Sequence, residues 1–390
     1  MLWTGRPLEI CEGVTDGLER RLRVGVIFGG RSGEHEVSLM SAESIMRALD
    51  PERYDVIPIG ITKEGKWLIG SDPLGALREG VQRSIPAYLT PSQLIADPQD
   101  PGLVPLERSG GAASQRIGVD VFFPVLHGPY GEDGTVQGLL ELAGVPYVGS
   151  GVAASAVGMD KALMRRIFQA HGLPLLDWRL VLRSRFEADP RGVAAEVAEA
   201  IGFPCFVKPA NLGSSVGVTK VRRFEELDAA LREAARFDRK ILVEKAAVGY
   251  REVECSVLGN DEPVASIAGE IVPGGEFYDY RAKYLDDSSE LIIPARISEN
   301  AMREVQRLSI AAFKAIDAAG LARVDFFVHP ETEEILVNEI NTMPGFTRIS
   351  MYPKLWEASG LSYRELVDRL IALALERHRD RQRSETSYHR

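Results

Sequence analysis

The sequence predicts an α/β protein in three parts: an N-terminal, open and mostly parallel sheet over residues 21–150, a central unit over 151–248, and a C-terminal, mostly antiparallel sheet with helices over 249–378. Three observations predict it. Before residue 150, continuously apolar strand-like runs alternate with helix-like runs, as in a parallel sheet covered on both faces. After residue 250 the strand-like runs alternate apolar and polar side chains, which suits antiparallel strands. The chain's 390 residues, 45% of them hydrophobic and 26% charged, leave room for more than one domain with a sizeable core.

Residues 1–20 read as an extension ahead of the first strand. RVGVIFGG (23–30) is an apolar strand ending in two glycines, RSGEHE is a loop, and the spacing of VSLMSAESIMRALD suits an amphipathic helix. YDVIPIGIT and VDVFFPVLHG (119–128) are further strands; residues 70–118, rich in Pro, Gly, Ser and Gln, read as irregular. ASAVGMDKALMRRIFQAHGLP reads as one helix ended by Gly172 and Pro174. Strands follow at WRLVL and FPCFVKPA, then the glycine-rich NLGSSVGV, a helix at RFEELDAALREAARF and a strand at KILVEKAA. REVECSVLG, PVASIAGEI, ARVDFFVH and EILVNEIN are the antiparallel strands. The helices ENAMREVQRLSIAAFKAIDAAG and LSYRELVDRLIALALERH flank them, the second opened by a capping box from Ser362 to Glu365. The charged tail, 379–390, is expected to fray.

Composition narrows the function. A net charge of −10 argues against a sequence-independent grip on nucleic acid. No run approaches the ~18 apolar residues of a membrane span, and the acidic and basic residues of the first twenty do not suit a signal peptide. Cys11, Cys205 and Cys255, odd in number and far apart, form neither a disulfide framework nor a CxxC site, so a cytoplasmic location is expected.

ILVNEINTMPGF (335–346) places Glu339 and Asn341 in a strand that begins as a core strand. Pairing Val328 with Leu336 across the preceding turn puts Asp325 opposite Glu339 and Arg323 opposite Asn341, all four on one face. Carboxylate and amide oxygens without His or Cys are hard ligands suited to Mg2+. Two other readings stand beside this one: exposed strand-end residues, or Arg323 alone neutralising Asp325. In FVKPANLGSSVGV, Lys208 ends a strand, and Gly213, Ser214, Ser215 and Gly217 form a loop able to wrap phosphates or to serve as a plain turn. Lys161 in GMDKALM is a phosphate contact or a solvated helix lysine. Glu34 precedes a helix, where a carboxylate is stabilised whatever its role. His127 follows a strand where open sheets place ligands, and it is equally readable as a structural histidine. Glu132 and Asp133 read as turn and cap residues. The N-terminal glycines lack GxGxxG spacing, which removes a dinucleotide-binding oxidoreductase from consideration.

Lys161, Lys208 with its GSSVG loop, the strand ILVEK, and Asp325 with NEIN resemble the ATP-grasp superfamily. More narrowly, GGRSGEHEVS, FPVLHGPYGEDGTVQGLLELAGVPYVGS, MDKALMR, VKPANLGSSVGV, FYDYRAKY and NEINTMPGFTRISMYP are similar to the D-alanine:D-alanine ligases from about residue 23 to 375. The resemblance implies a central lid domain, a C-terminal catalytic domain, ATP, Mg2+ or Mn2+, D-alanine as substrate, and a homodimer. It implies that Asp325, Glu339 and Asn341 hold the metal and that Lys161, Lys208 and Lys283 contact phosphates, with Ser214 and Ser215 in the phosphate loop. By the same resemblance Glu244 and Lys245 meet the adenine edge and Glu252 the ribose. Glu34 and His127 lie at the first D-alanine, Ser350 and Met351 at the second, and Arg323 clamps the transferring phosphoryl group. In the family, relatives that make D-alanyl-D-lactate carry a histidine beside the lysine matched by Lys283. Tyr284 here implies an amine acceptor, with the D-lactate or D-serine ligases as the alternative.

Overall fold

The computed structural model describes residues 20–80, 85–106, 116–272, 290–347 and 349–385. The first unit runs β1 (Leu22–Gly29), α1 (His35–Ala48), β2 (Tyr54–Ile61), β3 (Trp67–Gly70), α2 (Pro73–Arg78), β4 (Leu89–Ile95), β5 (Gly102–Pro105), β6 (Val121–Pro124) and α3 (Thr135–Leu142). Its six strands are ordered β5-β4-β3-β2-β1-β6. β1 lies parallel between β2 and β6, so the carboxyl ends of β1 and β6 meet at a switch point where open sheets hold ligands. β3, β4 and β5 extend the sheet antiparallel.

The central unit comprises α4 (Val152–Met159), α5 (Lys161–Ala170), β7 (Trp178–Leu182), α6 (Arg183–Ala188), α7 (Pro190–Ile201), β8 (Cys205–Pro209), β9 (Thr219–Val221), α8 (Phe224–Phe237) and β10 (Lys240–Lys245). Its antiparallel sheet is ordered β7-β10-β8-β9. The C-terminal unit comprises β11 (Arg251–Gly259), β12 (Val264–Val272), β13 (Glu290–Ile292), α9 (Glu299–Ala315), β14 (Gly320–Val328), β15 (Ile335–Asn341), α10 (Met351–Ala358) and α11 (Tyr363–Arg381). All pairings in its sheet, β13-β12-β11-β14-β15, are antiparallel.

Packing follows the apolar faces. Val24, Val26 and Phe28 of β1 pack against Trp356, Leu366 and Leu370 of the C-terminal helices, while Ile27, Ile59 and Phe122 meet Leu140 of α3 on the other side. Coverage of both faces is why the N-terminal strands are continuously apolar. In the C-terminal unit Val253, Val324 and Val337 pack on Val305, Leu308 and Phe313 of α9. Their neighbours along β11, β14 and β15 point the other way, toward the central unit. Among the described residues no helix is long and apolar enough to cross a membrane.

Two local expectations are corrected. The single helix expected within 154–174 is two, because Asp160 adopts extended ψ and its carboxylate accepts from the backbone N–H groups of Ala162 and Leu163 at 3.1 Å each. An aspartate that offers the backbone this bond ends one helix and caps the next. The described part of 70–118 is ordered as α2, β4 and β5 rather than irregular. LTPSQLI lacks a strand-like run, yet it buries Leu89 and Leu94 by pairing with β3 and β5, a tertiary stabilisation that its own propensity does not signal. The capping box at Ser362 and Glu365 forms as expected.

Candidate active site

A cavity of about 360 Å3 lies between the central and C-terminal sheets. Lys208, Glu244 and the loop residues Gly213, Ser214 and Ser215 line one side of it. Glu252, Glu254, Asp325 and Glu339 line the other, with Lys161 of α5 between them. A smaller void beside it is lined by Glu132, Lys161, Gly213, Glu339 and Asn341.

The β14–β15 hairpin has the expected partners at the site but not at the turn. Val328 pairs with Ile335 rather than Leu336, and an irregularity between Asp325 and Phe326 shifts the register by one so that Asp325 faces Glu339 and Arg323 faces Asn341. Asn338 is the unpaired residue, and a bulge there re-aims the strand that carries Glu339. On the other side of β14, Glu254 faces Asp325. Three carboxylates therefore stand in a row across β11, β14 and β15. Arg323 answers two of them, with Nε and Nη2 each 2.7 Å from an Asp325 oxygen and Nε 3.0 Å from Glu254 Oε2. Lys161 Nζ lies 3.3 Å from Glu339 Oε2 and donates to the Leu212 carbonyl at 3.0 Å.

Glu244 is buried between two cations. Its Oε1 is 2.6 Å from Lys208 Nζ, and its Oε2 accepts from Arg165. Burial pushes the Glu244 carboxyl up, but the Arg165 and Lys208 charges outweigh it and leave it below its ordinary value. Burial pushes Lys208 down from the usual lysine range, against the pull of Glu244.

Glu34 occupies the position before α1 yet makes no side-chain capping bond; its carboxylate instead accepts from the Ser214 hydroxyl, 180 residues away. Two glycines make that approach possible. A Cβ at Gly128 would lie 2.6 Å from Glu34 Oε2 and one at Gly213 3.1 Å, and Gly128 has φ +72°. Ser214 and Ser215 sit at φ 50° and 58°, an uncommon conformation for non-glycine residues that turns their N–H groups around the loop.

The family model described as D-ala D-ala ligase N-terminus matches residues 23–150, and that described as D-ala D-ala ligase C-terminus matches 167–372. The chain belongs to the D-ala D-ala ligase family. It is 53% identical to the D-alanine--D-alanine ligase of Heliobacterium modesticaldum over 93% of this chain and 97% of that protein. It is 50% identical to that of Geobacillus thermodenitrificans over 93% and 98%. Among solved structures, the D-alanine-D-alanine ligase from Coxiella burnetii is similar at 37% identity and TM-score 0.78, covering 93% of this chain and 96% of that one. The VanG D-Ala:D-Ser ligase from Enterococcus faecalis is similar at 37% identity and TM-score 0.81, covering 91% and 100%.

Other residues named by the resemblance do not line this cavity; His127 lines a separate pocket with Gly29, Gly30 and Tyr130. His127 is buried, which pushes its pKa down and keeps it neutral. Its Nδ1 is 3.0 Å from the Met343 carbonyl and its Nε2 3.2 Å from Ser41 Oγ, which in turn accepts from the Phe346 N–H. This chain of bonds makes Nδ1 the donor and fixes the loop after β15, using both ring nitrogens on protein groups. Ser350 Oγ accepts from the Thr347 N–H at 3.0 Å and lies 2.8 Å from the Thr347 hydroxyl. The Met351 side chain is buried against Ile271 and Leu355. Lys245 is exposed beyond the cavity, whose wall continues instead through Ala246 to Gly249. Lys283 and Tyr284 lie outside the described residues.

Glu132 is more than a turn residue. Asp133 makes the turn and cap bonds, accepting from Tyr130 N and Thr135 N, whereas Glu132 is buried, with Oε1 accepting from Gly128 N at 2.9 Å and Oε2 finding no hydrogen-bond partner among the described residues. Burial, with the Glu34 charge nearby, pushes its carboxyl up to about 8. Between the unfolded value of 4.5 and about 8, the folded protein holds a proton that the unfolded chain has lost, so this group's stabilisation falls as pH rises. Glu132→Gln is expected to remove that dependence. Denaturant titrations at pH 5.5 and 7.5 should show the variant gaining on wild type by about 1.4 kcal/mol per pH unit.

Arg165 and Gly128 fall inside the motifs MDKALMR and FPVLHGPYGEDG, and Glu254 inside a strand, but none of the three is given a role by the sequence. The signals were spacing: Arg165 is one helical turn after Lys161, and Glu254 is two along a strand from Glu252 and shares its face.

Proposed function

We propose that the protein joins two D-alanines into D-alanyl-D-alanine at the expense of ATP, through a D-alanyl phosphate, for peptidoglycan precursor synthesis. The observation that carries this reading is the 53% identity to a D-alanine--D-alanine ligase over nearly the whole of both chains. The cavity supports it chemically. Phosphoryl transfer asks a protein chiefly for alignment and charge stabilisation; Lys161 and Lys208 line the cavity, and Arg323 is bonded to two of the carboxylates that line it. The carboxylate of the first D-alanine attacks the γ-phosphorus and ADP departs. The neutral amine of the second attacks the acyl phosphate carbonyl, and phosphate leaves with the broken C–O bond.

Asp325, Glu339 and Asn341 present a hard oxygen set on opposed strands that fits Mg2+ or Mn2+. Asn341 Oδ1 accepts from Met343 N at 2.9 Å and keeps a second lone pair. A divalent ion there would supply charge neutralisation to the phosphates. Glu34 holds the ammonium of the first D-alanine beside the Ser214 loop, Ser350 receives the second carboxylate, and His127 braces the loop between them. Glu252 meets the ribose. Lys283 and Tyr284 complete the lid side, and Tyr284 favours an amine acceptor over D-lactate. The backbone is similar to that of a D-Ala:D-Ser ligase at TM-score 0.81, which makes D-serine the competing second substrate. A cytoplasmic location accords with ATP dependence and with Cys205 and Cys255, whose thiols burial pushes up to about 11. Assembly as a homodimer is carried over from the resemblance.

Coupled ADP release in ATP and Mg2+ tests the substrate, comparing D-alanine, L-alanine, D-alanine with D-lactate, and D-alanine with D-serine, with products identified by mass. ADP and dipeptide are expected with D-alanine and not with L-alanine. Silence with D-alanine overturns the substrate. Gly128→Ala tests the Glu34 assignment: the added Cβ displaces the carboxylate, and the KM for D-alanine is expected to rise on the order of tenfold with the KM for ATP little changed.

A further inference from the structure

Arg165 lies on α5, its side chain wholly buried, and it does not line the cavity. Nη2 pairs with Glu244 Oε2 and lies 3.4 Å from both the backbone oxygen and Oδ1 of Asn338, the bulged residue beside Glu339. The guanidinium thus touches β10 of the central sheet and β15 of the C-terminal sheet, the two walls of the cavity. Among the described residues its buried Nε and Nη1 find no hydrogen-bond partner. An apolar side chain of similar size would serve packing alone without those unsatisfied donors.

We infer that Arg165 is a positioning residue for nucleotide binding, acting through Glu244 and Asn338. This rests on the reading of the cavity as the ATP site. Lys208 Nζ is 2.6 Å from Glu244 Oε1, and that carboxylate alone would cancel the ammonium. Arg165 takes the other carboxylate oxygen, so Lys208 keeps charge to offer a phosphate. Because Lys161 precedes Arg165 by one turn and reaches Glu339, a single helix face sets both the lysine end and the carboxylate end of the cavity.

The experiment measures steady-state kinetics and calorimetric binding of ADP without metal, for wild type, Arg165→Met, Arg165→Lys and Lys208→Met, with melting curves to identify folded variants. Arg165→Met is expected to raise the KM for ATP and weaken ADP about tenfold, the scale of one charge-assisted contact, with the KM for D-alanine unchanged. Arg165→Lys is expected to restore both to within about threefold of wild type. Unchanged ATP KM and ADP affinity in folded Arg165→Met overturn the inference, as does Arg165→Lys failing to recover them. If Arg165→Met does not fold, Arg165→Gln takes its place: it keeps a donor toward Glu244 without the charge, and wild-type ADP affinity there overturns the inference. Lys208→Met separates the two levels. If it leaves ADP binding intact, the nucleotide site itself is misplaced; if it weakens ADP while the Arg165 variants do not, only the role of Arg165 falls.

Discussion

Glu339→Ala is expected to lower D-alanine-dependent ADP release on the order of 10³-fold, as removal of a group stabilising transition-state charge does, while leaving the protein folded. The side chain is a quarter exposed, so its loss opens no core cavity. It also stands opposite Asp325, and taking one carboxylate from the row of three relieves repulsion that Lys161, 3.3 Å away, only partly offsets. The melting temperature should therefore hold or rise as activity disappears. A second readout is independent of turnover: Mg2+ should raise the melting temperature of the wild-type ADP complex and not that of the variant. Wild-type turnover by Glu339→Ala would show that Glu339 holds no metal that turnover needs.

Why this residue was legible and Arg165 was not follows from what each leaves in the sequence. Glu339 and Asn341 interrupt an apolar strand, and a polar pair in such a run needs a reason. Arg165 sits in a helix whose neighbours, Arg166 and Gln169, are polar as well, so nothing local separates a buried guanidinium from a solvated one. Glu254 is hidden in the same way, because its partners Asp325 and Arg323 come from a strand about seventy residues later. The hairpin register shows a subtler limit. Counting back from the turn gives Val328 opposite Leu336, which is wrong, and Asp325 opposite Glu339, which is right; the Asn338 bulge absorbs the difference. A bulge depends on what the strand packs against, so the sequence alone could place the carboxylates but not the path between them. Strands β4 and β5 were missed for a related reason, since their pairing partners supply the order. The N-terminal parallel strands were legible because burial on both faces writes itself into every position.

Arg323 should separate charge from geometry. Arg323→Lys keeps one positive charge but not the fork that bonds both Asp325 oxygens at 2.7 Å, and kcat is expected to fall on the order of 10²- to 10³-fold with the fold retained. Arg323→Met does something different. It leaves Asp325 and Glu254 facing each other across β14 and β11 with their shared counter-charge gone, and both carboxylates are nearly buried. Breaking a buried ion pair this way costs about 3–5 kcal/mol, so this variant should unfold at markedly lower denaturant. Adding Glu254→Gln removes one of the two stranded charges and is expected to recover much of that stability. On the role proposed for Arg323 it should recover none of the turnover, because the group proposed to steady the transferring phosphoryl is still absent. Denaturation midpoints and kcat for the four proteins distinguish the roles: if Arg323→Lys turns over like wild type, the guanidinium serves only to neutralise its two carboxylates, and the clamp on the phosphoryl group belongs to Lys161 and Lys208.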